Sequence, residues 1–210
     1  MSGLKLSGWL VGVVSSLAFS ISSVAANSSK SSEKMLFDFT TVESVSDWTE
    51  MSDVVRTVGM SKAALTLQKT QVFQRAVFFS LLNPQPNGAG FAGVRKAVQL
   101  DLTGHTAIKV RARVQGPNLH YKMVLRHKGE QYEPFPTYEN FFTAKPNEFE
   151  EINLPLSEFK AYYRGKPMPD AEPLNLSQVS SVGLQVYGGV YSEQKQAGPG
   201  SMEIDWIKAV

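Results

Sequence analysis

From Ala107 to Gly129 the chain reads AIKVRARVQGPNLHYKMVLRHKG, and its alternation leaves few folds open. Ile108, Val110, Ala112 and Val114 alternate with Lys109, Arg111 and Arg113. A period of two suits a β-strand that turns one set of side chains inward and the other outward. Gly116-Pro117-Asn118 supplies turn chemistry. Beyond it Tyr121, Met123 and Leu125 alternate with Lys122, Val124 and Arg126. The stretch is expected to form a β-hairpin with an apolar inner face and a basic outer one.

The rest of the chain repeats this grammar. Short runs rich in aromatic and branched residues occur at 35–39, 63–67, 72–82, 91–100, 138–143, 149–154, 181–187 and 202–210, separated by turns and proline-rich loops. Strands at this spacing predict an all-β fold, a jelly-roll β-sandwich. Single helical turns are expected at Val42–Trp48, capped by Thr41, and within Leu156–Tyr163. Gln131–Pro136, with two prolines, is not a central strand.

Residues 1–26 read as a secretory signal: Lys5, an apolar run from Trp9 to Ile21, then small residues up to Ala26. No arginine precedes Arg56, which argues against a mitochondrial presequence. Residues 27–34 read as a disordered polar linker and 35–210 as the domain. After signal removal no membrane span is expected. The net charge of +2 implies no nucleic-acid partner. The chain has no cysteine, which excludes thiolate catalysis, disulfides and cysteine-ligated zinc.

No nucleotide-binding glycine motif, zinc-protease histidine pair or Gly-x-Ser-x-Gly is present. His105, His120 and His127 lie fifteen and seven residues apart and suggest no metal site. No cofactor and no catalytic residue is expected. Glu150 and Glu151, adjacent on a strand, point to opposite faces, whereas Glu203 and Asp205 share one and are placed to balance basic strands.

The one constellation is basic. Six Lys or Arg residues and no acid lie between Leu102 and Gly129. Lys109, Arg111, Arg113, Lys122 and Arg126 are candidates for binding an anion or acidic glycan, because arginine pairs carboxylate and sulfate bidentately. The competing reading is a solvated outer face answered by carboxylates on neighbouring strands. Tyr138 is a candidate for stacking on a sugar ring. Asn27 and Asn175 sit in glycosylation sequons, Asn27-Ser28-Ser29 and Asn175-Leu176-Ser177.

The order of several short motifs resembles the complex I intermediate-associated protein 30 family over roughly Leu36 to Val210. They are Phe37-Asp38-Phe39, Trp48 with Asp53, Gly59-Met60-Ser61, Gly90-Phe91-Ala92-Gly93-Val94-Arg95, Arg111-Ala112-Arg113-Val114-Gln115-Gly116, and Ile152-Asn153-Leu154-Pro155-Leu156. Arg164-Gly165, Val182-Gly183 and Met202-Glu203-Ile204-Asp205-Trp206-Ile207 complete them. Phe149 stands where the family pattern has tryptophan. The resemblance implies a jelly roll similar to galactose-binding domains and carbohydrate-binding modules, with no catalytic residues. Its best-known members are mitochondrial chaperones for assembly of respiratory complex I. The expected function is therefore a secreted, non-catalytic binding module with a glycan or protein partner. The alternative is a mitochondrial chaperone acting on complex I assembly intermediates.

Overall fold

The computed structural model describes residues 1, 3, 33–55, 58–86, 88–188 and 193–210. The expected signal, most of the linker and the Asn27 sequon lie outside the described residues. No helix among the described residues is long and apolar enough to cross a membrane.

The strands in chain order are β1 (Lys34–Asp38), β2 (Thr49–Glu50), β3 (Lys62–Lys69), β4 (Gln74–Leu82), β5 (Phe91–Leu100), β6 (Ala107–Gln115) and β7 (His120–His127). They continue with β8 (Thr137–Thr143), β9 (Glu150–Pro155), β10 (Lys160–Tyr163), β11 (Lys166–Pro167), β12 (Val179–Tyr187) and β13 (Gly198–Ala209). Two antiparallel sheets form. One runs β3-β4-β13-β6-β9, with β1 also pairing β13; the other runs β11-β10-β8-β7-β12-β5-β2. The fold is the expected all-β sandwich, of the galactose-binding-like jelly-roll type.

The core is the sum of the inward sets that the alternation predicts. Ile108, Val110, Ala112 and Val114 on β6 are wholly buried, as are Tyr121, Met123 and Leu125 on β7. Phe78, Met202 and Ile204 join them from the six-stranded sheet, and Val182, Leu184 and Val186 from the seven-stranded one.

The hairpin expectation is corrected. β6 pairs with β13 and β9, while β7 pairs with β12 and β8, so the two strands lie in different sheets. The turn chemistry is real: Gly116 has φ +99. However, the turn carries the chain across the sandwich. Both strands send their apolar sets into the same core from opposite sides, and alternation is blind to that difference.

Val42–Trp48 forms turns and bends, with no helix. Ser44 Oγ accepts a hydrogen bond from Ser46 N at 3.1 Å, a local contact that competes with helical bonding. The segment is pinned instead by Trp48, edge-on to Phe37 at 5.2 Å. The helical turn expected after Leu156 is a 3-10 turn, Leu156–Glu158, and the chain then returns to strand as β10.

The family motif around Asp53 is a buried anchor. Asp53 is wholly buried, and its carboxylate accepts from Ser61 N at 2.9 Å and Ser61 Oγ at 2.8 Å. Its second oxygen reaches Phe91 N at 3.4 Å, tying this loop to the start of β5. Gly59 lies so close that an added Cβ would sit 2.0 Å from the Asp53 carbonyl oxygen.

Candidate functional site

The sandwich separates the basic residues that the sequence groups together. Lys109, Arg111 and Arg113 lie on the outer face of the six-stranded sheet. Lys122 and Arg126 lie on the outer face of the other. The single basic surface expected from these five residues is not formed, because β6 and β7 belong to opposite sheets.

On the six-stranded face the charge is answered locally. Arg113 lies opposite Glu203 in the β6–β13 register and approaches its carboxylate at 3.0 Å. Arg75 on β4 reaches Glu203 at 2.7 Å, and Gln115 donates to its other oxygen at 2.8 Å. Arg111 donates to Asp205 at 3.2 Å, and Lys109 lies 4.0 Å from Glu151. A β-bulge interrupts β13 between Ile204 and Trp206. Glu203 and Asp205 share the outward face by alternation; the bulge leaves Asp205 as the extra residue and returns Ile207 to the core. The Phe149 ring lies under the guanidiniums of Arg75, Arg113 and Arg111 at 4.6, 4.8 and 5.5 Å. Burial raises the Glu203 carboxyl, but the bonds from Arg113 and Arg75 outweigh it and hold the group below its ordinary value.

The outer face of the seven-stranded sheet is built differently. Antiparallel register sets Gly93, Gln185, Lys122 and Phe141 in one row across β5, β12, β7 and β8. Arg95, Gly183, Val124 and Glu139 form the next row. In a third, Ser181 lies beside Arg126. Lys122 is committed to Glu139 at 2.6 Å, and both are buried. Arg126, only 6% exposed, points its Nη1 at the carbonyls of Glu130, Tyr132, Phe135 and Pro136. This ties the 130–136 loop over one side of the face. Arg95 donates to the Gln131 carbonyl at 2.8 Å and stacks on the Tyr132 ring at 4.6 Å. Along the first row, Phe141 meets Tyr162 and Tyr187 edge-on, with centroids 5.4 and 5.2 Å away. The result is a recessed polar floor with aromatic side chains at its borders.

Tyr138, the aromatic singled out from the sequence, points the other way. It is buried, donates to the Glu172 carbonyl at 2.8 Å, and packs on His127 at 4.7 Å. The exposed aromatic of the same strand is Phe141.

Beside Tyr138 the sequence missed a cluster. His127, Glu130 and Glu172 bring ligand atoms within 4.8 Å of one another. The ring chemistry argues against a cation there. Asn175 N donates to His127 Nδ1 at 2.7 Å, so the proton of the neutral ring sits on Nε2. Nε2 faces Tyr138 Oη at 3.4 Å and the Glu130 and Glu172 carboxylates at 3.6 Å. Burial pulls the His127 pKa below its ordinary value against the pull of both carboxylates. The ring thus locks the Glu172–Asn175 loop to β7. Asn175 itself is half-buried, its side chain accepting from Ser177 N and Ser177 Oγ at 3.1 and 2.8 Å.

In the sequence Arg95 stands out only as the last residue of the Gly90-Phe91-Ala92-Gly93-Val94-Arg95 motif. No sequence signal separates an arginine with a carboxylate partner from one without.

Several solved structures share this fold. A family 11 carbohydrate-binding module from Clostridium thermocellum, in complex with a β-1,3-1,4-mixed-linked tetrasaccharide, is similar at TM-score 0.63 and 17% identity, covering 85% of this chain and 95% of that one. The family 11 module of a cellulosomal cellulase from the same organism gives 0.60 and 15%, covering 85% and 94%. A family 30 module of another Clostridium thermocellum cellulosomal cellulase gives 0.53 and 10%, covering 85% and 96%. No curated protein sequence matches the chain. Residues 37–204 match the family described as complex I intermediate-associated protein 30, over the segment that carries Trp48, Asp53, Arg95, Arg113 and Glu203. This chain belongs to the complex I intermediate-associated protein 30 family.

Proposed function

We propose that this chain is a secreted, non-catalytic module that binds a glycan across the outer face of its seven-stranded sheet. The observation that carries the reading is the makeup of that face: a polar floor of Gln185, Lys122 and Glu139, from two adjacent rows, bordered by Phe141, Tyr162, Tyr187 and Tyr132. Sugars need both components, flat apolar surface for their C–H faces and fixed polar groups for their hydroxyls. The fold likeness to carbohydrate-binding modules supports the reading. Affinity electrophoresis of the full chain against a panel of polysaccharides tests it. The wild-type chain is retarded by at least one of them, and Phe141→Ala loses that retardation while its thermal unfolding stays within a few degrees. Phe141 is 40% exposed, so its truncation removes little core. No retardation by any polysaccharide, or full retardation of Phe141→Ala, overturns the reading.

The family's own description favours a second reading, an assembly factor for complex I intermediates. Phe79 and Leu81, 51% and 47% exposed on the outer face of β4, offer apolar surface to a protein partner. C-terminal tagging in the native cell type separates the two. Tagged chain in the medium supports the glycan reading. Matrix localisation, with less complex I on depletion, supports the assembly reading.

A further inference from the structure

We infer that the glycan held on this face is anionic, with a uronate carboxylate or a sulfate ester seated between Arg95 and Arg126. The inference rests on the glycan reading above and specifies its ligand class.

Two contrasts carry it. On the six-stranded face Arg75, Arg111 and Arg113 each have a carboxylate within 4.0 Å. Among the described residues, Arg95 and Arg126 are in no such pair. Their hydrogen bonds go to backbone carbonyls through Nη1, and both residues line one cleft on this face. The second contrast is what surrounds them. The carboxylates whose fields reach Arg126 are engaged elsewhere: Glu139 with Lys122, Glu133 with Arg164, and Glu130 beside His127. Arg95 and Arg126 flank β12 diagonally, where Gly183 and Ser181 put almost nothing between them. A Cβ at Gly183 would meet the Val94 carbonyl at 2.9 Å and the Arg95 Cβ at 3.4 Å. Thr137 and Gln185 line the same cleft with hydrogen-bonding groups. Two guanidiniums held at fixed positions beside a floor of Gly183 and Ser181, with no carboxylate among the described residues within 4.0 Å, suit an oxyanion with two or three acceptor oxygens. Stacking on Tyr132 and the Gln131 carbonyl preorganise Arg95, which lowers the ordering cost of binding.

The test is isothermal titration calorimetry on the full chain with three probes: a galacturonate oligosaccharide, a sulfated galactan oligosaccharide and a neutral mixed-linked β-glucan oligosaccharide. The expected result is that one anionic probe binds at least about tenfold more tightly than the neutral one, with affinity falling as salt rises. Arg95→Gln then weakens that probe about tenfold or more and weakens the neutral probe less, so that the anionic preference falls. Arg95→Lys recovers part of the loss. Which anionic probe wins distinguishes carboxylate from sulfate. Neutral and anionic probes binding alike, or Arg95→Gln binding the anionic probe as the wild type does, overturns the inference and leaves the glycan reading standing. Binding of none of the three overturns this inference, whereas the polysaccharide panel decides the broader reading.

Discussion

Replacing Glu203 by Gln removes one negative charge from the centre of the six-stranded face and changes little else. The carboxylate is 8% exposed and takes bonds from Arg75 at 2.7 Å, Arg113 at 3.0 Å and Gln115 at 2.8 Å. A hydrogen bond to a charged group is worth about 1.5–3 kcal/mol when buried. Here Arg75 and Arg113 are 14% and 31% exposed, so each contribution is discounted for screening. Glutamine also retains one acceptor, and Asp205 still lies 3.6 Å from Arg75. The net loss is about 2–3 kcal/mol, or a fall in Tm of about 4–12 °C for a domain of this size. Urea unfolding at neutral pH measures the first and calorimetry the second. The sign of the pH dependence gives an independent check. The folded carboxyl is held below its ordinary value of 4.5, so its contribution is full above about that pH and is lost as pH falls through the lower folded value. Wild type and Glu203→Gln should therefore converge in acid. A loss below about 0.5 kcal/mol, typical of exposed ion pairs, would refute the claim that this network supports the fold.

Two further outcomes follow from the loop anchors. His127 is neutral in the fold with a depressed pKa, so the unfolded chain binds its proton first. Stability is full above about pH 6.5 and declines as pH falls toward the folded value, with a slope of at most about 1.4 kcal/mol per pH unit from this group. His127→Gln, which keeps an acceptor for Asn175 N, flattens that decline in denaturant titrations at several pH values. Gly59→Ala forces a methyl group against the Asp53 carbonyl and costs about 2–3 kcal/mol or more, whereas Gly104→Ala, at φ +82 with open space around it, costs about 1 kcal/mol. Equal losses at the two glycines in chemical denaturation would show that the close approach does not matter.

The alternation in β6 and β7 carried the strand identities, the inward sets and the fold class, because side-chain parity is a local property of a chain. Partner choice is not. Two strands joined by a short glycine-containing turn pair in a hairpin or part company across a sandwich according to what else the core requires. Here β13 and β12 are the better neighbours. The same limit explains the misplaced sites. Tyr138 and Phe141 are both aromatic, and the run Asn140-Phe141-Phe142 hides which parity faces inward. Lys109, Arg111 and Arg113 look like a free basic surface until the pairing of β13 with β6 brings Glu203 and Asp205, some ninety residues later, beside Arg113 and Arg111. Asp53, Gly59 and Ser61 were visible as a motif, yet their role as a buried carboxylate anchor depends on Phe91 arriving from another strand.

The position of β13 also bears on how the molecule comes to be made. This strand is sandwiched between β6 on one side and, on the other, β4 along Gly198–Ile204 and β1 along Trp206–Ala209. It follows every other strand in chain order. During synthesis, β3 and β4 can pair as soon as they emerge, and so can β7 and β8, but β4, β6 and β1 face an empty lane until β13 has been made. The nascent domain therefore carries three strand edges that lack their partner until β13 arrives. Closure of the six-stranded sheet is a late, long-range event, and removal of β13 would leave the pairs β3-β4 and β6-β9 and a lone β1 where one sheet had been.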